Sequence, residues 1–233
     1  MLEVVRLNAA YGPAQVLHDL SLRAQAGEVA VLLGRNGAGK STCLKSIMGL
    51  LRPSSGEVRF EGRRIDRLEP FRIARLGLGY VPEDRRIFTD LTVMENLEVG
   101  RRTRGGEPPR WTPARLFELF PNLGRMRKRL GARMSGGEQQ MLTIARTLMG
   151  NPKAILLDEP SEGLAPLIAE QLASTVLELK RDGLAVLLCE QSVHFAQRVA
   201  DRAFVIEKGQ LRFAGTMQEL TADPDIRNRH LSV

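Results

Sequence analysis

Cys43 and Cys189 are the only cysteines in this chain of 233 residues, which excludes a disulfide framework and suits a reducing compartment. One has helix-like and the other strand-like neighbours, so both read as buried, unreactive thiols. The chain also lacks any stretch near the roughly 20 consecutive apolar residues of a membrane-spanning helix. Its strongest runs, Val29–Leu33 and Ala185–Cys189, are strand-sized, and the chain is not expected to cross a membrane. The opening MLEVVRLNAAYG has no basic segment followed by an apolar one, so no secretory signal and a cytosolic location are expected. Internal repeats and low-complexity tracts are missing too.

The charge present is uneven. Of the net +7, residues 52–133 supply 19 Lys/Arg against 11 Asp/Glu, a balance of +8, while the rest holds 15 against 16. Such a basic middle third suits nucleic acid or the anionic cytoplasmic face of a membrane. The length allows one α/β domain with a substantial core. Leu2–Leu7 and Val16–Ala24 alternate like edge strands, Val29–Leu33 reads as a buried strand, and Gly56–Ile65 reads as a hairpin turning near Glu61-Gly62. Helical spacing runs from Thr112 to Met149, broken by Pro121–Gly124 and by Ser135-Gly136-Gly137. Strand Ala154–Leu157, a helix through Leu179, strand Ala185–Cys189, a helix near Ala203 and a hairpin around Lys208-Gly209 follow. Arg101 to Pro113, rich in Gly, Pro and Arg, reads as the flexible loop.

GRNGAGKS, Gly34–Ser41, fits the GxxxxGKS phosphate-binding pattern between a buried strand and a helix. Gly34, Gly37 and Gly39 let the backbone curl so that N–H groups along Arg35, Asn36 and Ala38 face phosphate oxygens, helped by the helix start. Lys40 is placed for the β- and γ-phosphates of a nucleoside triphosphate, and Ser41, with Thr42 beside it, for Mg²⁺. A chance Gly/Lys-rich loop is the plainer alternative, disfavoured by the strand before and the helix after. AILLDEP, Ala154–Pro160, is an apolar strand ending in two carboxylates. Asp158 suits the Mg²⁺ shell and Glu159 the polarising of a water; solvated acids capping a strand would not explain why they follow four buried positions directly.

These two segments leave a kinase, a GTPase or a helicase open. RMSGGEQQMLTIARTLM, Arg133–Met149, narrows the choice, because with them it resembles the signature of the ATP-binding cassette (ABC) ATPases. Met134 and Glu138 depart mildly from the usual Leu and Gln. An ordinary Ser N-cap would be the reading of this segment alone. The resemblance spans essentially the whole chain and implies an α/β fold: a P-loop NTPase core with an antiparallel β subdomain and an inserted α-helical subdomain at about residues 86–150, all within one domain, 1–233. It implies that Ser135, Gly136 and Gly137 bind the γ-phosphate of ATP held by a second subunit, that Tyr11 stacks on adenine, and that Ser161–Leu164 couples the two ATP sites. Glu83 stands where most members have a glutamine near Mg²⁺, and Gln191 where most have a switch histidine. A carboxylate at 83 keeps an oxygen for the metal but donates no hydrogen bond, and Gln191 carries no proton as His would. His194, three residues late, reads as a helix-surface or interface histidine.

YVPEDRRIF, MSGGEQQM and LLDEPSEGLAP, with Glu190-Gln191 at the switch, are similar to the ATP-binding subunits of branched-chain amino-acid importers of the LivF type. That kinship implies ATP hydrolysis driving uptake, with urea or amide importers as the alternative cargo class. It implies a second ABC ATPase subunit as partner, in a heterodimer or, in isolation, a homodimer. It also implies two transmembrane permease subunits, an external binding protein acting indirectly, and a peripheral location on the cytoplasmic side of the cell membrane. The basic middle third then faces membrane or subunits, and no nucleic acid is expected; relatives acting on nucleic acid fuse two cassettes or insert long coiled coils, which this chain lacks. A catalytically silent regulatory partner is the remaining rival.

Overall fold

The computed structural model describes residues 1–102 and 109–223; of the loop expected at Arg101 to Pro113, residues 103–108 lie outside the described residues. Alternation in β1 (Leu2–Tyr11) and β2 (Ala14–Ala24) buries Leu2, Val4, Leu7, Leu17, Leu20 and Leu22. β3 (Val29–Leu33) is buried at every position, the pattern of a strand covered on both faces. After the glycine-rich loop, α1 (Lys40–Ile47) springs from Gly39 at a φ of 112°, where a side chain would be strained. β4 (Ser55–Phe60) and β5 (Arg63–Arg64) form the expected hairpin, with Glu61 and Gly62 both at positive φ, 53° and 74°. These strands make an antiparallel sheet ordered β2-β1-β4-β5. Alternation alone suggests an edge for β1, but β4 pairs along its free side and places it inside the sheet.

α2 (Pro70–Leu76) and β6 (Leu78–Val81) lead into a helical stretch: α3 (Val93–Gly100), α4 (Pro113–Leu119), α5 (Pro121–Arg125), a 3₁₀ turn at Gly131–Arg133 and α6 (Gly136–Leu148). The break expected at Pro121–Gly124 falls at Phe120, between α4 and α5, and Pro121 itself starts α5, because proline is tolerated at a first helical position. The chain continues with β7 (Ala154–Asp158), α7 (Pro166–Arg181), β8 (Ala185–Glu190), α8 (Val193–Val199), β9 (Arg202–Glu207), β10 (Gln210–Thr216) and α9 (Met217–Ala222). The helix expected near Ala203 ends at Val199; Ala203 lies in β9, whose apolar run Ala203–Ile206 is buried beside β3.

The second sheet is ordered β10-β9-β3-β8-β7-β6, parallel except for β10. Along β3, Val29, Val31 and Leu33 pack into a core with the later helices, and Ala30 and Leu32 into one with α1 and the small sheet. The C-terminal ends of its parallel strands therefore point to one edge, where α/β sheets bind ligands. β3 delivers the Gly34 loop there, β6 Glu83, β7 Asp158 and Glu159, and β8 Glu190 and Gln191. The Glu83 segment is tied to α6: Thr143 Oγ1 donates to Arg85 O at 2.8 Å, and Arg146 Nη2 to Arg86 O at 2.6 Å.

Candidate active site

The base of the Gly34 loop is buried and its crest, Arg35, Asn36 and Gly37, is exposed. A β-carbon on Gly34 would meet Ile206 O at 2.5 Å, so the backbone passes closer to β9 than any other residue allows. Ala38 N donates to Arg35 O at 3.1 Å and holds the curl. Lys40 is 3% exposed, and its ammonium donates to Gly34 O at 2.7 Å and Arg35 O at 3.0 Å, and pairs with Glu159 Oε1 at 3.0 Å. Ser41 Oγ donates to Asp158 Oδ1 at 2.9 Å, so two motifs 117 positions apart meet in one hydrogen bond. Thr42 is buried beneath them.

Asp158 is nearly fully buried, and Tyr80 OH donates to its second oxygen at 3.1 Å. Burial raises the Asp158 carboxyl, opposed by these two hydrogen bonds and reinforced by the charges of Glu159 and Glu83. Burial, then the Asp158 charge, push the Tyr80 phenol up, which keeps it a donor. Glu83 is exposed after β6, and among the described residues it makes no hydrogen bond to Ser41 or Asp158; its charge reaches them through space.

Glu159 is held at a φ of 45°, rare for a residue with a β-carbon, and its N–H donates to Cys189 O at 2.9 Å. Glu162 lies beside it; the hydrogen bond with Glu159, then burial, raise the Glu162 carboxyl above the usual range. Glu190 is 2% exposed and accepts from Ser161 N at 3.1 Å; burial pushes its carboxyl up to about 7. Gln191 is exposed and shares a cleft of about 550 Å³ with Glu159, Glu162 and His194, the last exposed on α8 as expected. Burial raises both cysteine thiols, Cys43 to about 12, which leaves them unreactive.

Ser135 caps α6: its hydroxyl accepts from Glu138 N at 3.3 Å while Glu138 Oε2 accepts from Ser135 N at 2.7 Å, a full capping box. Gly136 lies under the Arg85 guanidinium and Gly137 against Ile168, each where a β-carbon would come within 3.0 Å of a neighbour. Ser135 is exposed, and among the described residues no hydrogen bond joins Ser135, Gly136 or Gly137 to the Gly34–Thr42 loop. Tyr11 is 47% exposed at the tip of a hairpin whose second strand packs Leu17 and Val16 next to Gly39. Thus the fold gathers Lys40, Ser41, Asp158, Glu159 and Gln191, and leaves Ser135–Gly137 apart. Sequence reading missed Tyr80 and Glu190 as site residues; both stand in motifs it singled out, and each is a polar residue within or ending an apolar strand.

A model of the ABC transporter family matches residues 17–162. The chain belongs to that family. Among its relatives in the ABC transporter family, the high-affinity branched-chain amino acid transport ATP-binding protein BraG of Pseudomonas aeruginosa is 41% identical over 99% of both chains. The probable branched-chain amino acid transport ATP-binding protein LivF of Archaeoglobus fulgidus is 37% identical over 94% of both. The lipopolysaccharide export system ATP-binding protein LptB of Haemophilus influenzae is 34% identical over 99% of this chain and 97% of its own. Of the solved structures, a nucleotide-free ATP-binding cassette from an ABC transporter superposes with a TM-score of 0.83 at 28% identity, covering 97% of this chain and 96% of that one. The ADP conformation of another ABC cassette gives 0.81 at 29% identity, with the same coverage. The α/β architecture is therefore that of an ABC nucleotide-binding cassette.

Proposed function

We propose that this ABC chain is the ATP-hydrolysing subunit of an importer for branched-chain amino acids. The end-to-end likeness to BraG, 41% over 99% of both chains, supports that cargo above the lipopolysaccharide of the 34% relative. The geometry supports the chemistry. The loop Gly34–Thr42 curls around the phosphates, with Lys40 leaving Gly34 O and Arg35 O to reach them. That departure also releases Glu159 from its ion pair, so that Glu159 can orient the attacking water. Gln191, across the same cleft, hydrogen-bonds the γ-phosphate. Tyr11 stacks on adenine.

Mg²⁺ fits the donors present. Ser41 Oγ and Asp158 are hard oxygens already 2.9 Å apart, and magnesium favours one or two protein oxygens plus phosphates over an all-protein cage. Ser41 and Asp158 would hold the ion, with Glu83 reaching it directly or through water; it would neutralise charge developing on the phosphates.

The bare Ser135–Gly137 segment completes the site of a second ATPase subunit, a different chain in the assembled importer. Closure of the pair and its release after hydrolysis move the transport path. The roughly 86–150 insert and the Glu83 segment are the part that grips two transmembrane permease subunits. A cleft of about 470 Å³ there is lined by Leu50, Phe71, Phe88 and Val99, each about half exposed, with Arg86 and Arg146 at hand. Among the described residues no helix is long and apolar enough to cross a membrane. The likeness to importer ATP-binding proteins supports a peripheral place on the cytoplasmic side, with an external binding protein acting only through the permease.

The test is uptake by the complex reconstituted in vesicles. Leucine, isoleucine and valine are expected to enter with ATP, and urea and short amides not; uptake of the latter alone would overturn the cargo. Lys40→Ala should abolish nucleotide retention by this subunit, checked by equilibrium binding.

A further inference from the structure

We propose that Glu190 is a positioning residue for hydrolysis: it fixes the turn carrying Gln191 and the loop after Glu159 onto the strand end that also anchors the phosphate loop. The inference rests on the catalytic reading above. Glu190 ends β8, after five apolar residues, and is 2% exposed. Three segments converge on it. Its backbone carbonyl accepts from Gly34 N, the first residue of the phosphate loop, at 3.2 Å. Its carboxylate accepts from Ser161 N, two residues beyond Glu159, at 3.1 Å, and its charged form is favoured by the Ser161 hydroxyl and by the N–H of Ser192 on the far side of Gln191.

Among the described residues no Lys, Arg or His nitrogen pairs with this carboxylate, and the charge that bears on it is the like charge of Glu159. A buried carboxyl without a cation is costly unless N–H groups satisfy it, and here the N–H groups that do so belong to the two loops flanking the catalytic pair. Glu159 is pinned from the same strand, through Cys189 O at 2.9 Å. The backbone of Gln191 is thus held on both sides while its side chain stays exposed, and Glu190 itself touches no reacting atom. A misplacement of about 1 Å in such a pair costs on the order of a hundredfold in rate.

The experiment compares Glu190→Ala and Glu190→Gln in the complete transporter, measuring kcat, KM for ATP and thermal unfolding. Glu190→Ala is expected to lower kcat about tenfold or more while KM stays within about twofold. Glu190→Gln, which keeps an acceptor oxygen for Ser161 N and Ser192 N, is expected to retain at least about half of the wild-type kcat. A purely structural role would reduce the amount of folded complex and leave kcat per assembled complex unchanged. That result, or a glutamine variant as slow as alanine, overturns the proposal. If the alanine variant does not assemble, Glu190→Asp takes its place under the same thresholds, since it withdraws the oxygens by one methylene. A wild-type complex without ATP hydrolysis would instead overturn the functional reading, and this proposal with it.

Discussion

The Gly34–Thr42 loop and the Ser135–Gly137 segment each set a helix N-terminus where an anion is favoured, yet they are built in opposite ways. The first is closed by its own chain: Lys40 is bound to two loop carbonyls and Glu159, and Ser41 is bound to Asp158. In the second, Ser135 is exposed and Gly136 and Gly137 half-buried, and the hydroxyl serves its own helix through Glu138 N. The contrast teaches that one half is preorganised within this subunit, while the other spends its polar groups on its own helix and is, on the reading proposed above, left for a second molecule.

The largest effect should break the closed half. Glu159→Gln in the assembled complex is expected to lower turnover about 10²–10⁴-fold while ATP still binds; unchanged turnover in a steady-state assay would make this half a silent one. Gly137→Val attacks the exposed half, since a β-carbon there would lie 2.9 Å from Ile168 Cγ2. The isolated chain should bind ATP within about twofold of wild type while the complex slows about tenfold or more, and a matching loss of binding by the lone chain would erase the distinction between the halves.

Acidity sharpens the comparison further. The Glu190 carboxyl is raised from 4.5 to about 7 by burial, so its contribution to stability is fully present below about pH 4.5 and is lost as pH rises through about 7. Relative to wild type, Glu190→Gln should therefore gain stability between pH 5 and 8, by at most about 3 kcal/mol, read from denaturant unfolding at both values; a flat difference would contradict the shift. The smallest effect belongs to the exposed half: Ser135→Ala removes the α6 cap and should cost about 1 kcal/mol, seen as a slightly lower unfolding midpoint.

What the sequence made legible was local. Gly34–Ser41 and Asp158-Glu159 depend on glycine placement and on carboxylates ending an apolar run, both visible within eight residues. The sheet built from β3, β7 and β8 was legible for the same reason, as each is a short apolar run. Short elements held by distant packing are not: α2 leaves no signal, α3 is covered only by the resemblance that implies a helical insert at about 86–150, and the Ala203 strand reads as helix, because a brief apolar run has no decisive period. The role of Tyr80 was hidden since its partner, Asp158, lies 78 positions away. Glu190 was hidden because its partner Ser161 lies 29 positions away and acts partly through a backbone N–H, which every residue has.

The two bonds that tie Arg85 O to Thr143 and Arg86 O to Arg146 join the segment carrying Glu83 to the helix carrying Ser135. On the reading proposed above, the segment near this subunit's nucleotide and the helix offered to the neighbour's are thus tied by two hydrogen bonds. Thermodynamic reciprocity then applies: by whatever factor an occupied Phe71–Phe88 cleft strengthens nucleotide binding, bound nucleotide strengthens occupancy of the cleft. On the proposed reading, whatever fills that cleft sets how tightly ATP is held without touching it.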